Sequence, residues 1–187
     1  MARKPRSHPD LERLYAVVRP PDSPTEPGAV ADWKRVEAEL GVKLPDDYKG
    51  LIGRYGSGCF GEFLYPLNPF SQNRAGHLLH RGRAILAAER ASGMSREQGM
   101  PFPLHPDEGG LLPWAVTDNG DTLFWYTHPA CASWPVVVRS GRGYRFEVYQ
   151  RTSAGFLAVW LTGQLAVGVF PQGPYSPTFQ PAEPVDA

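Results

Sequence analysis

The sequence predicts an α+β fold on three observations: helical spacing opens the domain, two hairpin signatures follow in its second half, and one more helical stretch closes it. At the front, Leu11, Leu14, Tyr15 and Val18 follow helical spacing behind Asp10, so a short helix is expected before the proline-rich stretch 19–28. Asp32 caps a second helix whose Trp33, Val36 and Leu40 share one face, and Gly41 supplies a left-handed stop. Pro45 starts a third, with Asp46 and Asp47 at the positive end of its dipole, Tyr48, Leu51, Ile52 and Tyr55 as its stripe and Gly56 as its end. Residues 58–66 change to a pleated-surface composition and predict one strand. Helical spacing returns over 77–92, and 93–110, with Pro101, Pro103 and Pro106, reads as a long irregular connection and a candidate site. Strands at 111–117 and 122–127 flank Asp118-Asn119-Gly120-Asp121, where Asn-Gly tolerates the positive φ of a hairpin turn. A second hairpin joins 134–139 to 143–149, so the mixed sheet is mostly antiparallel. Thr152 or Ser153 then caps a last helix with Phe156, Leu157, Trp160 and Leu161 inward and Gly163 as its stop.

The chain has 187 residues, 42% hydrophobic and 20% charged, which suits one globular domain. Eleven of its 20 prolines fall in the two ends. That concentration sets the expected organisation: a proline-rich arm over 1–28, a single domain over 29–170 and a disordered proline-rich tail over 171–187. Nineteen basic and nineteen acidic side chains cancel, so net charge favours neither nucleic acid nor anionic lipid. No run approaches the ~20 apolar residues of a membrane span, and a cytoplasmic location is expected. Cys59 and Cys131 are too few for a disulfide framework or a four-thiolate zinc site, and read as buried thiols.

One long segment carries a family signature. Trp33-Lys34-Arg35-Val36-Glu37-Ala38-Glu39-Leu40-Gly41-Val42-Lys43-Leu44-Pro45-Asp46-Asp47-Tyr48, continued by Leu51, Ile52, Tyr55-Gly56 and Gly58, resembles the SUKH superfamily, which takes in the yeast Smi/Knr cell-wall regulator and many bacterial toxin-immunity proteins. Leu111-Leu112-Pro113-Trp114, the turn at 117–121, Trp125, Trp134-Pro135-Val136-Val137-Val138 and Phe156-Leu157 are similar to the bacterial members. The likeness covers about residues 30–163 and leaves 93–110 and both tails unmatched. It implies helices on one side of a mixed sheet, no catalytic residues, no cofactor, and binding of a toxin protein, often a nuclease.

The chemistry of individual residues adds little that competes with this. His77 and His80, with His128 and Cys131, allow a zinc site to be drawn, but neither pair has a zinc-motif spacing and the first sits among Arg74, Arg81 and Arg83. No phosphate loop, nucleophile elbow or paired-carboxylate motif is present, so no catalytic residue is assigned. The tryptophans read mainly as core, although alternation through Leu123, Phe124, Trp125 and Tyr126 turns one aromatic outward. Charge is segregated: residues 104–128 hold Asp107, Glu108, Asp118 and Asp121 and no Lys or Arg. Those four acids, with Trp125 as an exposed anchor, form the expected rim for a basic toxin domain. A scaffold that recruits partners through its proline-rich tails is the alternative; deleting both tails then separates the two, sparing immunity and abolishing scaffolding.

Overall fold

The computed structural model describes residues 8–92, 101–127 and 134–183. His128 and Cys131, half of the zinc reading, lie outside them. α1 (Pro9–Val17) begins at His8, whose imidazole accepts from Asp10 N, and buries Leu11 and Leu14. A single 3₁₀ turn (Val30–Asp32) leads into α2 (Trp33–Leu40), closed by Gly41 at φ 72°. α3 (Asp46–Tyr55) follows Pro45 as the sequence predicts. The predicted strand at 58–66 is instead two, β1 (Gly58–Phe60) and β2 (Leu64–Pro66). Gly61 and Glu62 both adopt positive φ, the conformation of a type I′ hairpin turn, and the chain folds back there. α4 (Leu78–Ala91) is capped by His77; β3 (Leu111–Thr117), β4 (Thr122–Tyr126), β5 (Val136–Arg139) and β6 (Phe146–Tyr149) are the two predicted hairpins. α5 (Ser153–Leu161) starts with Thr152 Oγ1 accepting from Gly155 N. Last comes β7 (Phe179–Pro181), in the segment expected to be a disordered tail.

The α+β class is as expected, with one seven-stranded sheet in the order β6-β5-β4-β3-β2-β1-β7. Among the described residues every pair of strands is antiparallel, and parallel pairing is confined to isolated bridges such as Thr25 to Gly56. Helices lie on both faces rather than one. Trp125 packs edge-on against Tyr48 of α3 at 4.7 Å and donates its indole N–H to Ser153 Oγ of α5 at 2.8 Å. Trp125 is paired with Val136, so alternation along β5 turns Arg139 to the opposite face. There Arg139 meets Glu89 of α4 at 3.1 Å. The middle strands are therefore buried on both sides, and Leu123, Phe124 and Trp125 are all fully enclosed.

Both α1 and β7, the first and last described elements, are built into this frame. Tyr55 donates its hydroxyl to Val18 O at 2.6 Å, and Thr152 Oγ1 donates to Asp10 Oδ2 at 2.8 Å, tying α1 to α3 and α5. Buried Asp47 accepts from Ala154 N at 2.9 Å, so the carboxylate placed at the start of α3 also serves the first turn of α5. At the other end, β7 pairs with β1, and Phe179 packs on Phe60 and Tyr55 at 4.7 and 5.0 Å.

Candidate functional site

Register places one row of side chains across the face that α4 crosses. Tyr65 is opposite Val116, Val116 opposite Thr122, and Thr122 opposite Arg139. Beyond Tyr65 the same row runs to Cys59, one step past the Phe60 to Leu64 pair, and to its partner Gln180 on β7. α4 covers the Arg139 end. Among the described residues no helix covers the Cys59 and Tyr65 end, which floors a cleft of about 600 Å³, within the size range of binding sites. Its walls are the loop at Ser71 and Asn73, Arg81 of α4, Asp118 after β3, and the β7 segment to Ala182.

A hydrogen-bond network fixes the wall. Ser57 Oγ donates to Glu26 Oε2 at 2.5 Å, Asn68 Nδ2 donates to Ser57 Oγ and to Glu26 O, each at 2.9 Å, and Gln72 N donates to Glu26 Oε1 at 2.6 Å. Glu26 holds positive φ while bonding segments far apart in sequence. On the floor Cys59 is 5% exposed and Tyr65 is 38% exposed. Burial, and then the Asp118 charge, push the Cys59 thiol up, which keeps it protonated and a poor nucleophile. Hydrogen bonding to Cys59, with burial and the Asp118 carboxylate, raises the Tyr65 phenol. The chemistry on offer is recognition: a half-exposed aromatic ring, one exposed carboxylate and one guanidinium on a braced frame.

The five residues read from the sequence as a partner-binding rim do not come together. Asp118 is exposed and lines the cleft. Asp107 and Glu108 are also exposed, but they precede β3 whereas Asp118 follows it, and seven strand residues span ~20 Å. Asp121 is only 2% exposed; its Oδ2 accepts from Thr117 Oγ1 at 2.9 Å and its Oδ1 from Gly141 N at 2.9 Å, joining the two hairpin turns. Trp125 is fully buried, so it is a core residue and not a surface anchor. Tyr65 and Cys59 escaped the sequence reading as site residues, because a strand assigned over the whole of 58–66 conceals the turn that sets their facing, and Arg81 escaped it because only the fold brings α4 to the cleft. Among the described residues no group of three or more His, Cys, Asp or Glu is placed to hold a metal ion, and no helix is long and apolar enough to cross a membrane.

An antiparallel sheet carrying helices on both faces, with a braced cleft where that cover ends, defines a domain of the α+β class. The family model described as SMI1-KNR4 cell-wall, of the SUKH group, matches residues 31–157, and the chain belongs to that family. No curated protein and no solved structure matches it. The match takes in α2 to the middle of α5 and leaves out α1 and β7.

Proposed function

We propose that this chain is a non-enzymatic, immunity-type protein that binds and neutralises a toxin by seating part of it in the cleft over Cys59 and Tyr65. The observation that carries this is the end of the sheet face that no described helix covers: an aromatic floor and the Asp118 carboxylate on a braced frame, in a chain whose SUKH resemblance implies protein binding. A basic toxin segment matches Asp118 by charge and Tyr65 by cation–π contact. A nuclease that docks a basic groove residue here loses access to its substrate. Recruitment through free proline-rich tails draws less support, because Thr25 Oγ1 donates to Ala182 O at 3.0 Å and β7 is a sheet strand.

The test is a pull-down from the source cell's lysate with the full chain beside Asp118→Lys and Tyr65→Ala variants. Retention of one small basic protein by the full chain, and its loss from both variants, supports toxin capture in the cleft. Equal retention by all three chains removes the cleft as the site.

A further inference from the structure

The corner where α2 meets the start of α4 gathers several hydrogen-bond donors, most of them exposed at its rim, around a single carboxylate. A recess of about 140 Å³ there is walled by Arg35 and Glu39 of α2 and by His77, His80 and Arg83 at the start of α4. Glu39 is the single carboxylate, and Arg83 occupies it at 2.5 Å. His77 Nδ1 accepts from Leu79 N at 3.2 Å, which leaves the ring's proton on Nε2 and makes that atom a donor. The His80 ring lies 4.7 Å from that of His77. The exposed side chains of His80 and Arg35 make no hydrogen bond or ion pair to another described residue.

We infer that this recess binds a small tetrahedral oxyanion, sulfate or a phosphate group, between Arg35, Arg83 and the two imidazoles. Four donor groups around one carboxylate already in use leave an excess of positive charge and of N–H groups, and an anion with several acceptor oxygens satisfies both. The volume suits one such group. The reading does not draw on the dipole of α4, since His77 itself caps the Leu79 amide, and it is independent of the cleft and its partner.

Protonation tightens the site. Burial, and then the neighbouring His80, hold the His77 imidazole below its ordinary range, while Glu39 and Glu26 act in the other sense. His80, Arg35 and Arg83 are the remaining charged or titratable groups around it. Protonation of His77 gives up the Leu79 bond, because Nδ1 then carries a hydrogen and no longer accepts, but it adds positive charge to the recess, so a dianion of fixed charge binds better at lower pH. Sulfate is such a dianion, whereas phosphate loses charge over the same interval.

The test is an amide NMR titration of the full chain with sodium sulfate at constant ionic strength, at about pH 5.5 and pH 7.5. Saturating shifts at Arg35, Leu79 and His80 are expected, with affinity at least about fivefold higher at the lower pH. Arg35→Gln and His80→Gln are each expected to weaken binding about fivefold or more, and Arg142→Gln to leave it unchanged. Parallel titrations with inorganic phosphate and with N-acetyl-phosphoserine amide distinguish a free anion from a peptide-borne one. Linear shifts that never saturate, equal affinity at both pH values, or equal affinity in the Arg35 and His80 variants with the native spectrum otherwise retained would overturn the assignment.

Discussion

Glu37 shows how one buried carboxylate is kept charged. It accepts from Lys43 Nζ at 2.8 Å, Lys49 Nζ at 3.0 Å and Leu44 N at 3.1 Å. Burial works to raise its pKa, but these donors outweigh it and hold the folded value below the ordinary one. A carboxyl lowered on folding contributes stability above its unfolded pKa and loses that contribution as pH falls through the folded value. Glu37→Gln is therefore expected to cost about 1–3 kcal/mol at neutral pH. The gap from the parent should close as pH drops below about 4, measured as urea midpoints across pH; a gap independent of pH contradicts the linkage. Trp125 makes the complementary case. With its indole bonded to Ser153 and its ring stacked on Trp114 at 6.0 Å, Trp125→Phe is expected to lose about 2–4 kcal/mol in denaturant unfolding. An exposed anchor at that position would change stability by less than about 0.5 kcal/mol.

Two glycines that look alike in sequence do different work at the level of elements. Gly41 and Gly56 each end a helix with positive φ, but a Cβ on Gly41 meets open space and one on Gly56 overlaps the Thr25 carbonyl. Gly41→Ala is expected to cost about 1 kcal/mol from backbone strain alone. Gly56→Ala should cost clearly more, because it also forces away the segment carrying Thr25 and Glu26, whose hydrogen bonds brace the cleft wall; equal midpoints for the two variants would contradict this. β7 gives the second prediction at this scale. Its removal strips the pairing from β1 and uncovers Phe60 and Tyr55, so a chain truncated after Phe170 is expected to melt at least about 5 °C lower. An unchanged melting temperature would show that the strand adds nothing. Tail deletion thus tests the integrity of the sheet before it tests any partner.

Across the whole molecule, burial and distance decide which acids can act together. Asp118 sits at the cleft and Glu108 at the far end of β3, so one docked segment in the cleft is reached by the first and not the second. On the proposed reading, Asp118→Lys slows association with the captured partner about tenfold at low salt, while Glu108→Lys stays within about twofold. Stopped-flow or surface-binding kinetics across salt concentrations check this. Equal slowing by both would restore a continuous acidic rim.

Local chemistry made α2, α3, α4 and α5 legible from residues alone: Gly41, Gly56 and Thr152 act within a few positions of the helix ends they define. The β3–β4 and β5–β6 hairpins were legible for the same reason, since their turns lie within the segments they join. Residues 58–66 were not, because two short strands around a tight turn have the composition of one long strand. β7 was hidden further still: Phe179 is fixed by Phe60 and Tyr55, more than a hundred positions away, and proline content there says only that the segment is extended. The sequence by itself determined the α+β class, the family signature and the aromatic core. Only the tertiary structure decided that Trp125 and Asp121 are interior, that the acids lie at opposite ends of a strand, and that Cys59, Tyr65 and Asp118 share a cleft. The physical reason is that facing and proximity depend on strand register and helix cover, which are set by contacts between segments distant in the chain.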